Sequence, residues 1–196
     1  ADPFRIAPEV QALYAARRTE LAGIVAERRK AFEEWAKANP DKAVELKGYL
    51  EGVLPQIDYT AIVHKANIST RQASADVLGV LAEKMGNMIV SSADLANSDK
   101  TDGFLKKTHA FTTGDFTGAF LQAGVSELTM AAIMNGIALH GGLRGACGTF
   151  FVFSDYMKPA VRMACLMELP VLYVWTHDAF RVGEDLSLIH ISEPTR

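Results

Sequence analysis

Four stretches of this 196-residue chain carry side chains whose types and spacing could act on a ligand. The first is Gly124 to Met130, G-V-S-E-L-T-M, in which Glu127 opens an otherwise apolar run. A carboxylate in a first helical turn gains a few tenths to about 1 kcal/mol from the helix dipole, and that alone explains its presence. The sharper role is a carboxylate held in a partly dry cleft and aimed at a ring nitrogen of a bound ligand. The second stretch is T-F-F-V-F-S-D-Y, where Phe150, Phe153 and Tyr156 recur at three-residue steps. Such stripes usually pack a core. At a strand end they can also lie against a flat heteroaromatic ring, with stacking worth about 0.5–1.5 kcal/mol per pair beyond burial.

The third stretch is S-S-A-D-L-A-N-S-D-K, with Arg71 upstream in S-T-R. Asp94 stands directly after an expected strand, while Lys100 and Asp102 read as members of a solvated loop. Arg71 is either a surface cation or a phosphate anchor, because its guanidinium fork matches phosphate oxygens and Ser98 can add a hydroxyl. The fourth is T-H-D-A-F-R-V-G-E-D, where His177 is a general acid–base, a substrate-orienting donor or a satisfied structural histidine. His64, His109 and His140 show no partner pattern. The glycines of G-I-A-L-H-G-G-L-R-G neither follow a strand nor open a helix, so they make a weak nucleotide motif.

These residues must be positioned by a scaffold, and the pattern of apolar residues predicts one. Pro8 to about Lys37 reads as a long amphipathic helix with proline in its first turn. A short helix over Asp41–Leu50 follows the Asn39-Pro40 break, and Gly52 to Lys65 reads as a linker. Ser69 or Thr70 then caps a helix to about Met85. Expected strands are Asn87–Ser92, Phe120–Ala123, Ala146–Val152 and Val171–Thr176, and expected helices are Ser126–His140 and Asp155–Glu168. Ala93 to about Thr117 is expected to be a long polar loop. Strand and helix in alternation give an α/β fold, a parallel sheet with helices on both faces, behind a helical N-terminal segment. In such sheets ligands gather at the carboxyl ends of strands. Asp94, Asn97, Ser98, Glu127, Thr149, His177 and Asp178 all fall just past those ends.

Composition narrows the function. Twenty Lys+Arg against 23 Asp+Glu give a net charge of -3, which offers no broad basic field for nucleic acid or an anionic membrane. Cys147 and Cys165 have no metal-ligand or disulfide spacing and read as ordinary buried thiols of a reducing compartment. No targeting segment is visible. The most apolar windows, Met130–Leu139 and Gly145–Phe153, are shorter than the roughly 20 residues of a membrane span. The expectation is a cytoplasmic protein with neither nucleic-acid nor membrane partners.

Taken in order, the motifs A-D-L-A-N-S-D-K-T, G-A-F-L-Q-A-G-V-S-E-L-T-M-A-A-I-M-N-G-I-A-L-H-G-G, G-T-F-F-V-F-S-D-Y-M-K-P-A-V-R-M-A and T-H-D-A-F-R-V-G-E-D closely resemble transketolase. The resemblance covers roughly Asp58 to Asp185 and points to the middle, pyrimidine-binding domain of the thiamine diphosphate-binding fold, left incomplete. Residues 1–57 resemble the helical segment that joins it to a preceding domain. The resemblance implies thiamine diphosphate chemistry: transfer of a two-carbon ketol unit between sugar phosphates.

It also implies roles. Glu127 falls on the family glutamate that contacts N1′ of the aminopyrimidine and favours its imino tautomer, and His177 joins it as a catalytic position. Phe150, Phe153 and Tyr156 fall on the aromatic pocket around the pyrimidine, and Asp94 on an aspartate near the thiazolium. Arg71 and Ser98 fall on phosphate-anchoring positions, and His177 and Asp185 on positions contacting sugar hydroxyls. The metal, Mg2+ or Ca2+, would be held by an N-terminal domain, with the cofactor lying between two subunits of a homodimer.

Ser126 departs from the arginine that many members carry there. After Asp185 the family continues G-P-T-H, whereas here L-S-L-I-H-I-S-E-P-T-R resembles the translation of a sequencing-library adapter, so 186–196 is expected to be a non-natural tail. With half a site, the chain by itself is expected to show no turnover, to bind the cofactor weakly or not at all, and to expose an unpaired sheet edge and apolar helix faces. Dihydroxyacetone synthase, 1-deoxyxylulose-5-phosphate synthase and a non-catalytic interaction module are the alternatives.

Overall fold

The computed structural model describes residues 4–178, so Asp185 and the expected tail lie outside the described residues. The chain divides into two compact units, Ala1–Lys47 and Gly48–Arg196. The first is dominated by helix α1, Pro8–Ala38, which opens on Pro8 where its missing N–H costs nothing. No α1 residue is buried, and its side chains meet along the helix instead, as Phe32 and Trp35 do with ring centroids 5.7 Å apart. Helix α2, Pro40–Leu50, restarts immediately after Asn39.

The second unit is built on a four-stranded sheet in the order β2-β1-β3-β4, parallel throughout. The strands are β1 Met88–Ser92, β2 Phe120–Gln122, β3 Arg144–Phe150 and β4 Leu172–Thr176. Parallel neighbours require crossovers, and the helices supply them. Helix α3, Thr70–Lys84, leads into β1; α4, Ala96–Asp99, and α5, Asp102–Leu105, connect β1 to β2; α6, Glu127–His140, and α7, Ser154–Leu166, complete the remaining two crossovers.

Side chains alternate across each strand, so two apolar layers form. Met88, Val90, Phe120 and Ala146 pack with Leu78 of α3 and Phe104 of α5 on one face. Ile89, Leu121, Cys147 and Tyr173 pack on the other with Met130 and Met134 of α6 and Met157 of α7. Gly145 gives α6 room on that second face, because a Cβ there would sit 2.9 Å from the Met134 sulfur. Helices therefore cover both faces, as the strand–helix alternation predicts.

Three expectations are corrected. The segment after β1 is not one long loop: it folds into α4 and α5, and buried Phe104 anchors it to the sheet. Asp102 is buried rather than solvated, with Lys106 Nζ 2.6 Å from its Oδ2. Cys147 is buried and its thiol is pushed up to about 12 by burial and by nearby Asp99, whereas Cys165 is exposed. Histidines without a recognisable partner pattern also find partners: His64 Nδ1 lies 2.8 Å from Asp76, and His109 Nε2 3.1 Å from the Thr117 hydroxyl. No described helix is long and apolar enough to cross a membrane.

Candidate functional site

The chain leaves β1 toward the α3 face of the sheet and leaves β3 toward the opposite face. A crevice opens where adjacent connections diverge in this way, at the carboxyl ends of those two strands. It holds a cleft of about 400 Å³ lined by Ala93, Asp94, Leu95, Val125, Glu127, Phe153 and Tyr156. Glu127 is the first residue of α6 and only 8% exposed. Among the described residues its carboxylate has neither a hydrogen bond nor an ion pair. The N-terminus of α6 stabilises negative charge at that position. Ser126 does not cap the helix; its hydroxyl donates to the Ala123 carbonyl at 2.7 Å.

The opposite wall is aromatic. Phe153 and Tyr156 stack with centroids 6.2 Å apart at 24°, and Tyr156 is 58% exposed. Phe150 continues the same ladder, stacked on Phe153 at 5.8 Å and 12°. It does not line the cleft, however. It is set back and 7% exposed, because alternation turns it toward the α3 face. There its ring meets the His177 imidazole with centroids 3.8 Å apart.

His177 follows β4 directly and belongs to a second cluster. Arg71, in the first turn of α3, donates from Nη1 to the Ser98 carbonyl at 3.0 Å and to His177 Nε2 at 2.7 Å. An imidazole nitrogen that accepts from a guanidinium is unprotonated, so Nδ1 carries the hydrogen and donates to Thr176 Oγ1 at 2.8 Å. Burial, and then the Arg71 charge, hold His177 below the ordinary histidine range. Arg71, Ser98 and His177 are thus brought together from three distant segments. Ser98 contributes its carbonyl to this contact rather than its hydroxyl.

Asp94 stands between the two clusters. It lines the Glu127 cleft and also a neighbouring cavity of about 410 Å³ that reaches Ser98 and Gln122. Asp94 and His177 both adopt left-handed backbone, φ 65° and 55°, a conformation uncommon outside glycine that Asp and His enter more readily than most residues. Leu95 and Val125 line the cleft, and Asp99 is buried beneath its loop, without having been singled out by sequence. For Asp99 a signal existed: Asp followed two residues later by Thr makes a local turn. The same spacing folds identically at Asp58–Thr60 and Asp115–Thr117. Among the described residues no group of three or more His, Cys, Asp or Glu could hold a metal.

The architecture defines an α/β domain of the doubly covered, parallel type, with a crevice at the carboxyl ends of its strands. Sequence comparison specifies it: the transketolase pyrimidine-binding domain family matches residues 66–190, and the chain belongs to that family. The chain is 40% identical over 185 residues to the transketolase of Halalkalibacterium halodurans, a match covering 93% of this chain and 28% of that one. Among solved structures, Leishmania mexicana transketolase superposes with a TM-score of 0.85 at 28% identity, covering 92% of this chain and 27% of that chain. The Pichia stipitis transketolase complex with sedoheptulose-7-phosphate gives 0.83 at 34% identity, covering 93% and 28%. The chain therefore spans little more than a quarter of the length of these relatives.

Proposed function

We propose that this chain supplies the pyrimidine side of a transketolase active site, with 58–185 as the functional domain and 1–57 as its connecting helical segment. The observation that carries the reading is Glu127: a buried carboxylate with no partner among the described residues, facing two stacked rings across a cleft of about 400 Å³. A buried carboxylate without a protein partner is costly. A flat heteroaromatic ring that offers N–H or ring-nitrogen protons to Glu127 and a π-face to Phe153 and Tyr156 would satisfy both walls at once. The aminopyrimidine of thiamine diphosphate fits that donor set. When bound, the cofactor supplies the nucleophilic carbon on which a two-carbon ketol unit is carried.

This chain's residues hold and orient. Glu127 binds the ring nitrogen and sets the ring's protonation, which is general acid–base work done through the cofactor's own ring system. Phe153 and Tyr156 exclude water from one face. Asp94 flanks the entrance toward the second cluster. Arg71 anchors the phosphate of a sugar phosphate by exchanging its present contacts for phosphate oxygens, with Ser98 beside it. Neutral His177, and Asp185 beyond the described residues, meet sugar hydroxyls.

The Mg2+ or Ca2+ and its ligands belong to a diphosphate-binding domain, and the working enzyme is a cytoplasmic homodimer. The outward face of α6 supports the dimer: Leu128, Ile133 and Leu139 are exposed on a helix that is apolar on all sides, a pattern that calls for a covering surface.

The test uses a full-length transketolase containing this domain, assayed for ketol transfer with several acceptor aldehydes. Glu127→Gln should lower turnover by about 10²-fold or more and leave thermal stability unchanged or raised. Lost stability with retained specific activity would assign Glu127 a structural role and defeat the reading. The 196-residue polypeptide alone should show no turnover, and measurable ketol transfer by it would refute the half-site assignment.

A further inference from the structure

The residue between the two clusters that no role yet covers is Asp99. It is 1% exposed, at the end of α4, beneath the β1–α4 loop. Its Oδ1 accepts from the Thr101 backbone N–H at 2.9 Å and the Thr101 hydroxyl at 2.8 Å, and its Oδ2 accepts from Ser92 Oγ at 2.6 Å. All three neighbours are donors, which is what an ionised carboxylate requires. Ser92 Oγ also accepts from Leu95 N–H at 3.2 Å, so a chain of bonds runs from the loop through Ser92 into Asp99.

The floor is equally specific. Ser92 and Gly148 are paired across β1 and β3. A Cβ on Gly148 would stand 2.5 Å from Thr101 Cγ2 and 3.0 Å from Asp99 Oδ2. The carboxylate therefore lies against bare backbone, closer than any side chain there would allow. The short segment it ties down carries Asp94, in left-handed conformation, and ends on the Ser98 carbonyl that Arg71 grips.

We infer that Asp99 is a positioning residue: by holding Ser92 and Thr101 from beneath, it sets the β1–α4 loop and so places Asp94 and the Ser98 carbonyl on the two sides of the site. The inference rests on the proposed reading of those residues, and the geometry assigns Asp99 no contact with substrate or cofactor. Ordinary packing would stabilise the whole unit evenly. Positioning acts on one loop.

The experiment follows amide hydrogen exchange by NMR on the 196-residue chain, with binding of 4-amino-5-hydroxymethyl-2-methylpyrimidine measured in parallel. In Asp99→Ala, exchange at Leu95 and Thr101 N–H should accelerate roughly tenfold, the scale of one charge-assisted hydrogen bond, while Cys147 in β3 keeps its protection. Ser92→Ala should release Leu95 and spare Thr101. Asp99→Asn keeps an acceptor for Thr101 and should rescue that amide. Leu78→Val, in the core beneath the same face, should lower the melting temperature without singling out either amide.

Pyrimidine binding should weaken severalfold in Asp99→Ala and Ser92→Ala and hold in Leu78→Val. Unchanged Leu95 exchange in Asp99→Ala, or equal acceleration in Leu78→Val, overturns the inference. If Asp99→Ala does not fold, the Ser92→Ala and Asp99→Asn pair decides it through the same two amides. Should the unmodified chain, as half a site, not bind the pyrimidine, the same variants are read by cofactor affinity in a full-length transketolase containing this domain, while the exchange pattern still decides the role of Asp99.

Discussion

The two halves of the crevice solve opposite problems. Around Glu127 the protein presents a carboxylate without a partner among the described residues and leaves one face of a ring ladder free to stack. Around Arg71 the groups already hold one another: Arg71 Nη1 engages a carbonyl and an imidazole, and the imidazole engages Thr176 and Phe150. A ligand entering the first half adds interactions, whereas one entering the second must exchange them. Ring-specific binding is expected of the first half, and less specific, exchangeable binding of the second.

The comparison breaks most visibly at Glu127. Glu127→Ala in a transketolase containing this domain should lower kcat by about 10²–10⁴-fold, the range of general acid–base contributions, with the melting temperature unchanged or raised. Steady-state kinetics and calorimetry on one preparation check both. Next comes Phe150→Ala. Because this ring is buried and set back from the cleft, its loss should cost about 3–5 kcal/mol of stability, read by urea unfolding, with pyrimidine affinity changed less than by Phe153→Ala.

A smaller effect sharpens the second half. The His177 titration followed by NMR should have its midpoint below 6.5. A histidine whose folded value is depressed contributes stability that is present above 6.5 and lost as the pH falls through the folded value. The Arg71–His177 contact should break in that window. Arg71→Ala should move the midpoint back up, but only part of the way, because burial is the larger cause. A midpoint unmoved in Arg71→Ala would disconnect the pair. The smallest change is Tyr156→Ala: the ring is mostly exposed, so stability should stay within about 0.5 kcal/mol while pyrimidine binding weakens.

Much of this was legible in the residues. The short apolar runs and the helical spacing located the four strands and helices α3, α6 and α7 to within a few residues, but missed α4 and α5, whose segment reads as polar loop. Glycine and proline marked their ends. The residues paired Arg71 with Ser98 as a phosphate anchor, but the contact of His177 with Arg71 was not legible from spacing, since it depends on strand order. Phe150 and Phe153 show the limit of a three-residue stripe. The strand pleat governs the first ring and the following 3-10 turn governs the second, so one is buried and one lines the cleft. Burial of Asp99 was invisible for a related reason: its turn matches those at Asp58 and Asp115, and only the sheet beneath it differs.

The order β2-β1-β3-β4 has a consequence for how the protein is made. The central strand is synthesised before either of its neighbours, and both arrive only after long intervening helices and turns. At about 5–20 residues per second, Met88–Ser92 waits seconds on the ribosome with its hydrogen-bonding edges bare. Helix α3, already complete, packs Leu78 against Met88 and Val90, so its Leu78 face doubles as a cradle for a strand whose partners do not yet exist.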